Sequence, residues 1–276
     1  MKKLVYLLVG IFLMSSIIQL VVPVASATSS TYSGRLKGEQ LGFAYADESG
    51  KRLLGFRSNN PKRFVQAYYA PGKALNVKYV KHQTRTEESN GRQTQWNFDQ
   101  DEGDLFNIVK GKIPGNESVL LAEKNAFQGH EFLKYKPVSK GSLSKSIVSN
   151  IEKAKKRKVA TQALIGQASG EVEIALVVFE RIKGKAPLAS LVLSTKSGLF
   201  FEDFIGNDNE MSTWRVDDGG TITAEMFKIL FVSKSKAGYS FGFEWGGAEG
   251  YALKVLQQKG KLFRTVLEDS RYAAPV

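Results

Sequence analysis

The chain has 276 residues, 39 Lys and Arg against 27 Asp and Glu, a formal net charge of +12 and no cysteine. The missing cysteines exclude a disulfide framework and thiolate chemistry, and a chain of this length can build its cores without such staples. Two histidines leave zinc only a set completed by carboxylates. No H-E-x-x-H spacing, G-x-G-x-x-G turn or G-x-x-x-x-G-K-S/T loop is present, so no cofactor is expected.

Lys2 and Lys3 precede an uncharged apolar run from Leu4 to Val22, which Pro23 ends and Ala25-Ser26-Ala27 follows. A positive start, an apolar stretch and an A-x-A end make a secretory leader. A signal peptide is therefore expected over residues 1–27, cut after Ala27, with a secreted or cell-wall-associated chain beyond it. Thr28, not Cys, follows the cut, which excludes a lipoprotein leader. The alternative is an uncleaved anchor: the run of 19 residues is near the length that spans a bilayer. Both readings put the rest of the chain on the same side.

From Gly34 onward the pattern is of strands and turns, an N-terminal β-rich region over 28–140. Leu41 to Tyr45 and Leu53 to Phe56 flank the turn Asp47-Glu48-Ser49-Gly50; Phe64 to Tyr69 and Leu75 to Val80 flank Ala70-Pro71-Gly72-Lys73. Asn90-Gly91 predicts a two-residue hairpin turn with arms Val77 to Ser89 and Arg92 to Phe98. A basic linking helix is expected within 141–159, capped by Ser142 or Ser144, with Leu143, Ile147, Ile151 and Ala154 as its apolar stripe. A C-terminal β-rich region over 160–276 follows. Its strands are Val172 to Phe179, Leu188 to Leu193, Leu199 to Phe204, Tyr239 to Trp245, Tyr251 to Leu256 and Leu262 to Leu267. Ala224 to Val232 reads as helix, strand or one running into the other. The expected fold is mainly β, with antiparallel sheets in two halves joined by one basic helix.

The charge is uneven. Lys134 to Lys158 holds nine basic residues and one acid, Glu152. Lys153, Lys155, Lys156, Arg157 and Lys158 crowd the end of the helix and are the expected polyanion-binding residues. Outside a cell the matching partners are an anionic wall polymer or a membrane surface, bound by charge and weakened by salt. Export makes nucleic acid an unexpected partner.

Catalytic and metal patterns are sparse. Gly238-Tyr239-Ser240-Phe241-Gly242 matches G-x-S-x-G, but the serine lies in a strand pattern and His82 and His130 are both upstream of it. Ser142-Leu143-Ser144-Lys145 with Lys196-Ser197-Gly198 has the serine β-lactamase pattern without room for the helical domain between. Asp99, Asp101 and Asp104 are candidates for an irregular calcium site, although EF-hand spacing would need Gly where Asp104 stands and an acid where Lys110 stands. In the predicted hairpin His82 faces Asp99, half of a catalytic dyad or a metal shell, and Arg85 faces Trp96. Trp96, Trp214 and Trp245 with Tyr68 and Tyr69 would be a sugar platform or, as aromatics at strand spacing more often are, core. The tracts 214–220 and 243–250 are distinctive without a mechanism.

Three functions follow. The first is an exported, non-enzymatic binding or envelope-associated protein held through the basic residues. The second is a secreted hydrolase using carboxylates near His82, with His82 and Asp99 as catalytic candidates. The third is a protein–protein interaction module or inhibitor, which needs an exposed aromatic face at Tyr239 to Trp245.

Overall fold

A computed structural model of the chain describes residues 32–56 and 58–274; the expected signal peptide lies outside the described residues. Six strands form a closed antiparallel barrel. They are β1 (Leu41–Ala46), β2 (Arg52–Gly55), β3 (Phe64–Tyr69), β4 (Lys73–Gln83), β5 (Gly103–Ile108) and β6 (Ser118–Glu123), in the order β1-β2-β5-β4-β3-β6. A six-stranded barrel has little room inside, and Ala44, Ala46 and Ala67 fill it beside Phe64 and Phe106. The β1–β2 turn is closed by the Asp47 carboxylate, which accepts from Lys51 N, Arg52 N and Arg52 Nε. Gly50 in that turn has φ +67°, and a Cβ there would lie 1.7 Å from Ile113 O, so only glycine fits.

Ten strands form the second sheet, in the order β7-β13-β14-β15-β16-β12-β11-β10-β9-β8. Two short strands, β7 (Glu131–Phe132) and β8 (Tyr135–Pro137), are its edges. Between them run β9 (Val159–Ala168), β10 (Val172–Phe179), β11 (Leu188–Thr195), β12 (Gly198–Ile205), β13 (Phe227–Ser235), β14 (Gly238–Gly246), β15 (Gly250–Lys259) and β16 (Leu262–Tyr272). All pairings are antiparallel except β12 with β16, where Phe201 meets Leu262. The sheet curls so that β9–β12 face β13 and β14 across one core: Phe204 lies 5.8 Å from Phe227 and 4.9 Å from Trp245, ring to ring. Residues 224–226 are a 3-10 turn that runs directly into β13.

Among the described residues the one α-helix, α1 (Lys145–Lys155), starts at Ser144, whose Oγ accepts from Ile147 N at 3.3 Å. It ends at Lys156, which has φ +53°. Its buried Ile151, with Leu143 before it, packs against Ala175, Val177, Val192 and Phe201. The helix thus covers the outer face of the second sheet. It lies between β8 and β9, both strands of that sheet, so the chain changes from barrel to sheet between β6 and β7. Among the described residues no helix is long and apolar enough to cross a membrane.

Barrel and sheet share a core in which Phe43, Tyr68, Leu120 and Phe127 meet Leu230, Phe231, Leu253 and Val255. Arg271 of β16, 1 % exposed, joins them. Its guanidinium donates to Gln93 O, to Asn116 O and Oδ1 and to Ser118 Oγ, and lies over the rings of Tyr45 and Tyr251 at 4.7 and 5.2 Å.

The hairpin expected at Asn90-Gly91 does not form. β4 pairs with β5, and residues 84–102 are a loop in which Gly91 makes an exposed turn. The reason is competition. Gln93 N donates to Tyr272 O, Tyr272 N to Gln93 Oε1 and Gln95 N to Asn116 Oδ1. The Asn97 amide donates to Arg92 O and Ser89 Oγ, and Phe98 packs on Tyr45, Leu54 and Leu105. Tertiary bonds satisfy the groups that a local ladder would have used.

Candidate functional site

The end of α1 and the start of β9 are fixed by bonds that leave most of their charges outside. Lys155 is the exception. Its Nζ lies 2.7 Å from Asp203 Oδ1 and 4.2 Å from the Phe201 ring centre, and its side chain is 12 % exposed. Lys158 lies 2.8 Å from Glu152, whose other oxygen accepts from Val159 N. Those two hydrogen bonds hold the Glu152 carboxyl below its usual range. Lys153 and Lys156 are exposed.

Two further bonds bring a second basic segment to the same place. Arg157 Nη1 donates to Ala186 O and Glu180 N donates to Lys158 O, each at 2.9 Å. The β10–β11 turn is thereby laid beside the helix end, with Arg181, Lys183 and Lys185 exposed around Gly184 at φ +75°. With Lys155 paired to Asp203, segments 152–158 and 180–185 hold seven further cations, Lys153, Lys156, Arg157, Lys158, Arg181, Lys183 and Lys185, and two carboxylates, Glu152 and Glu180, a net +5. The sequence reading missed Arg181 to Lys185. Their signal was a charged glycine turn between two apolar runs. Conversely, Lys145 is separated from the corner by the helix, about 16 Å long at 1.5 Å per residue over 11 residues.

The barrel's polar residues are arranged otherwise. His82 does not face Asp99. In the observed register it faces Asp104, with Nδ1 3.1 Å from Asp104 Oδ1 and Nε2 3.6 Å from Glu102 Oε1. Asp99 instead binds Arg52, at 2.6 Å. Asp101, 2 % exposed, accepts from Tyr45 Oη and Arg85; burial first, then the Asp101 charge, pushes the Tyr45 hydroxyl up. Asp99, Asp101 and Asp104 thus hold three separate partners, and among the described residues no three His, Asp or Glu side chains converge on a metal position. Ser240 is buried against the Gln257 amide, and Ser144 is the helix cap. The aromatics form no common platform. Trp96 is 62 % exposed, whereas Tyr68, Tyr69, Tyr239, Phe241, Phe243 and Trp245 are buried core.

The distinctive tracts 214–220 and 243–250 come together. Asp218 accepts from the backbone N–H groups of Thr213, Trp214, Arg215 and Gly220. That cage holds Arg215 over the Trp245 ring, 5.1 Å from its centre, and Arg215 donates to Trp245 O and Gly250 O. Beside it Lys228 lies 3.3 Å from Glu117 and 3.5 Å from Glu244, which is 3 % exposed. Burial lowers the Lys228 ammonium, but the Glu244 and Glu117 charges outweigh it and the net shift is upward. Comparison of the chain with protein-family models, with curated proteins and with solved structures finds no match in any of the three.

Proposed function

We propose that the chain is an exported, non-enzymatic binding protein held at the cell envelope by an anionic wall polymer or lipid headgroups. One observation carries this reading: the two hydrogen bonds that join the helix end to the β10–β11 turn concentrate seven cations against two carboxylates on one exposed corner. Exposed surface cations keep their hydration and mobility and bind polyanions through the summed field of the patch. At the surface of an anionic membrane each such side chain is worth about 1 kcal/mol. Lys155 leaves the set, because Asp203 and Phe201 already hold it.

The test is retention of the full chain on isolated anionic walls and on vesicles with anionic lipid, eluted with salt. Replacing Lys153, Lys156, Lys183 and Lys185 by Gln moves elution to lower salt on the surface that holds the protein. Unchanged elution from both sinks the reading. A second reading, a hydrolase using carboxylates, is favoured by His82 standing between Asp104 and Glu102. It predicts a hydrolytic activity that His82→Gln abolishes in a folded protein. The burial of Tyr239 to Trp245 removes the aromatic surface on which the interaction-module reading rested.

A further inference from the structure

Beside Arg215 and Lys228 the structure has an open cleft of about 450 Å³, within the size range of small-molecule sites. It lies between the loop before β13 and the β14–β15 turn. Met226, Trp245 and Tyr251 give it apolar walls, and the turn Gly246-Gly247-Ala248 forms a rim with almost no side chain. Three of the ionic groups facing it, Lys228, Arg215 and Asp218, are already engaged, whereas Asp217 and Glu225 stand exposed. Lys228 lies between Glu117 and Glu244, Arg215 donates to two carbonyls, and Asp218 accepts from four backbone amides. An anion would have to displace the carboxylates from Lys228 or the carbonyls from Arg215 and would face Asp217 and Glu225. A neutral ligand would not, and could still use the remaining lone pairs of Asp217, Glu225 and Glu244 and the remaining N–H groups of Lys228.

The Trp245 ring that walls the cleft is held from both sides, stacked on Phe227 at 5.5 Å and under the Arg215 guanidinium. Trp245 Nε1 is shielded from solvent and has no hydrogen-bond partner. The cage around Asp218 and the clamp of Arg215 hold these walls in place before any ligand arrives, which lowers the ordering cost of binding. Gly247 is part of the fit: a Cβ there would lie 2.8 Å from the Arg215 guanidinium.

From this we infer that the cleft between residues 215–228 and 244–251 binds a neutral, polyhydroxylated ligand, a mono- to trisaccharide unit. Its C–H faces pack on Met226 and Tyr251, and its hydroxyls meet the carboxylates and the Lys228 ammonium. This site is separate from the cationic corner and does not depend on it.

The experiment titrates the full chain with maltotriose, cellotriose and triacetylchitotriose, read by calorimetry and by tryptophan emission, since Trp245 lines the cleft. The expected result is saturable binding of at least one trisaccharide with a dissociation constant no weaker than about 10 mM. Ala248→Phe, which fills the exposed rim, and Glu225→Gln, at an exposed position, each weaken it by about tenfold or more, near 1.4 kcal/mol. Circular dichroism checks that both variants are folded. No binding by any of the three, or binding that both variants leave intact, overturns the inference. So does a cleft that takes only a charged probe, glycerol 3-phosphate or lysine amide. The corner variant with four Gln keeps its saccharide affinity whether or not its wall retention is lost, so failure of one site is not read as failure of the other.

Discussion

The acidic loop over the barrel and the basic corner of the second sheet handle their charges in opposite ways. Around the barrel, charges are paired at specific atoms: Asp99 with Arg52, Asp101 with Arg85 and Tyr45, and Asp104 with His82. At the corner of the second sheet the hydrogen bonds run through backbone groups, Lys158 O and Ala186 O, and leave the ammonium groups of Lys153, Lys156, Lys183 and Lys185 outside. The difference follows from architecture. A closed barrel has no edge, and its crossing loops must be tied down over it. A curled open sheet ends in hairpin turns that stand free, and those turns can carry charge without structural work. Side chains committed to pairs hold a fold; side chains left solvated at one end are available to a ligand.

The largest expected effect lies at the joint between barrel and sheet. Arg271→Met removes a guanidinium that serves Gln93, Asn116 and Ser118 in a 1 %-exposed site. Stranding those acceptors is expected to cost about 3–5 kcal/mol. Urea unfolding should show a large fall in midpoint; a change under about 1 kcal/mol would mean that the apolar core between the regions suffices alone.

Lys155 separates structural from solvated cations within one helix turn. Lys155→Ala is expected to lose about 1–2 kcal/mol of stability, from a partly buried ion pair and its ring contact, while leaving salt elution unchanged. The four-Gln corner variant should do the reverse, with stability within about 0.5 kcal/mol of the parent. Equal stability losses in the two proteins would erase the distinction.

Acid should weaken the barrel turn. Burial alone would raise the Asp47 carboxyl, but hydrogen bonds from Arg52, Ser49 and Lys51 outweigh it and hold it low. A carboxyl lower in the folded than the unfolded state stabilises above its unfolded pKa, and that stability is lost as pH falls through the folded value. Asp47→Asn should therefore cost most near neutral pH, and the gap from the parent should close below about pH 4. His130 acts in a neighbouring window. Burial holds its pKa below the usual histidine value, so the neutral ring is favoured and stability declines as pH falls through about 6.5. His130→Gln should flatten that slope between pH 7 and 5 in thermal melts. A modest effect belongs to Gly91, at φ +74° with open space around it. Gly91→Ala should cost no more than about 1–2 kcal/mol in urea unfolding, because the turn holds no ladder.

The strand pattern was legible where one face alternates or both are apolar. Phe64–Tyr69 matches as read, and Val172–Phe179 is the central-type strand its run of apolar residues indicates. β5, β6 and β9 went unread. Ser118 to Ala122 is buried on both faces and too short to show a period, while Thr161 and Gln162 interrupt β9 with polar side chains. Asn90-Gly91 carried the strongest local turn signal and misled, because Tyr272 and Asn116, far along the chain, provide the bonds that the segment uses. The same limit applies to the sites. Lys153 to Lys158 were visible as a cluster, but that Arg181, Lys183 and Lys185 join them, and that Lys155 does not, depends on strand ends brought together by the sheet. The meeting of the 214–220 and 243–250 tracts follows from the pairing of β13 with β14, which sets Phe227 opposite Trp245.

The direct test of the cationic corner compares two proteins of equal charge on teichoic-acid-bearing walls and on anionic vesicles. One has Lys153, Lys156, Lys183 and Lys185 replaced by Gln; the other has the exposed barrel residues Lys78, Lys81, Lys110 and Lys112 replaced by Gln. Retention is followed as salt is raised from about 0.01 M, where charge acts over about 30 Å, to about 1 M, where it acts over about 3 Å. The account predicts early release and a shallower salt dependence for the corner variant alone, with the barrel variant eluting like the parent. Identical elution of the two variants would contradict it, since retention would then follow net charge and not the corner.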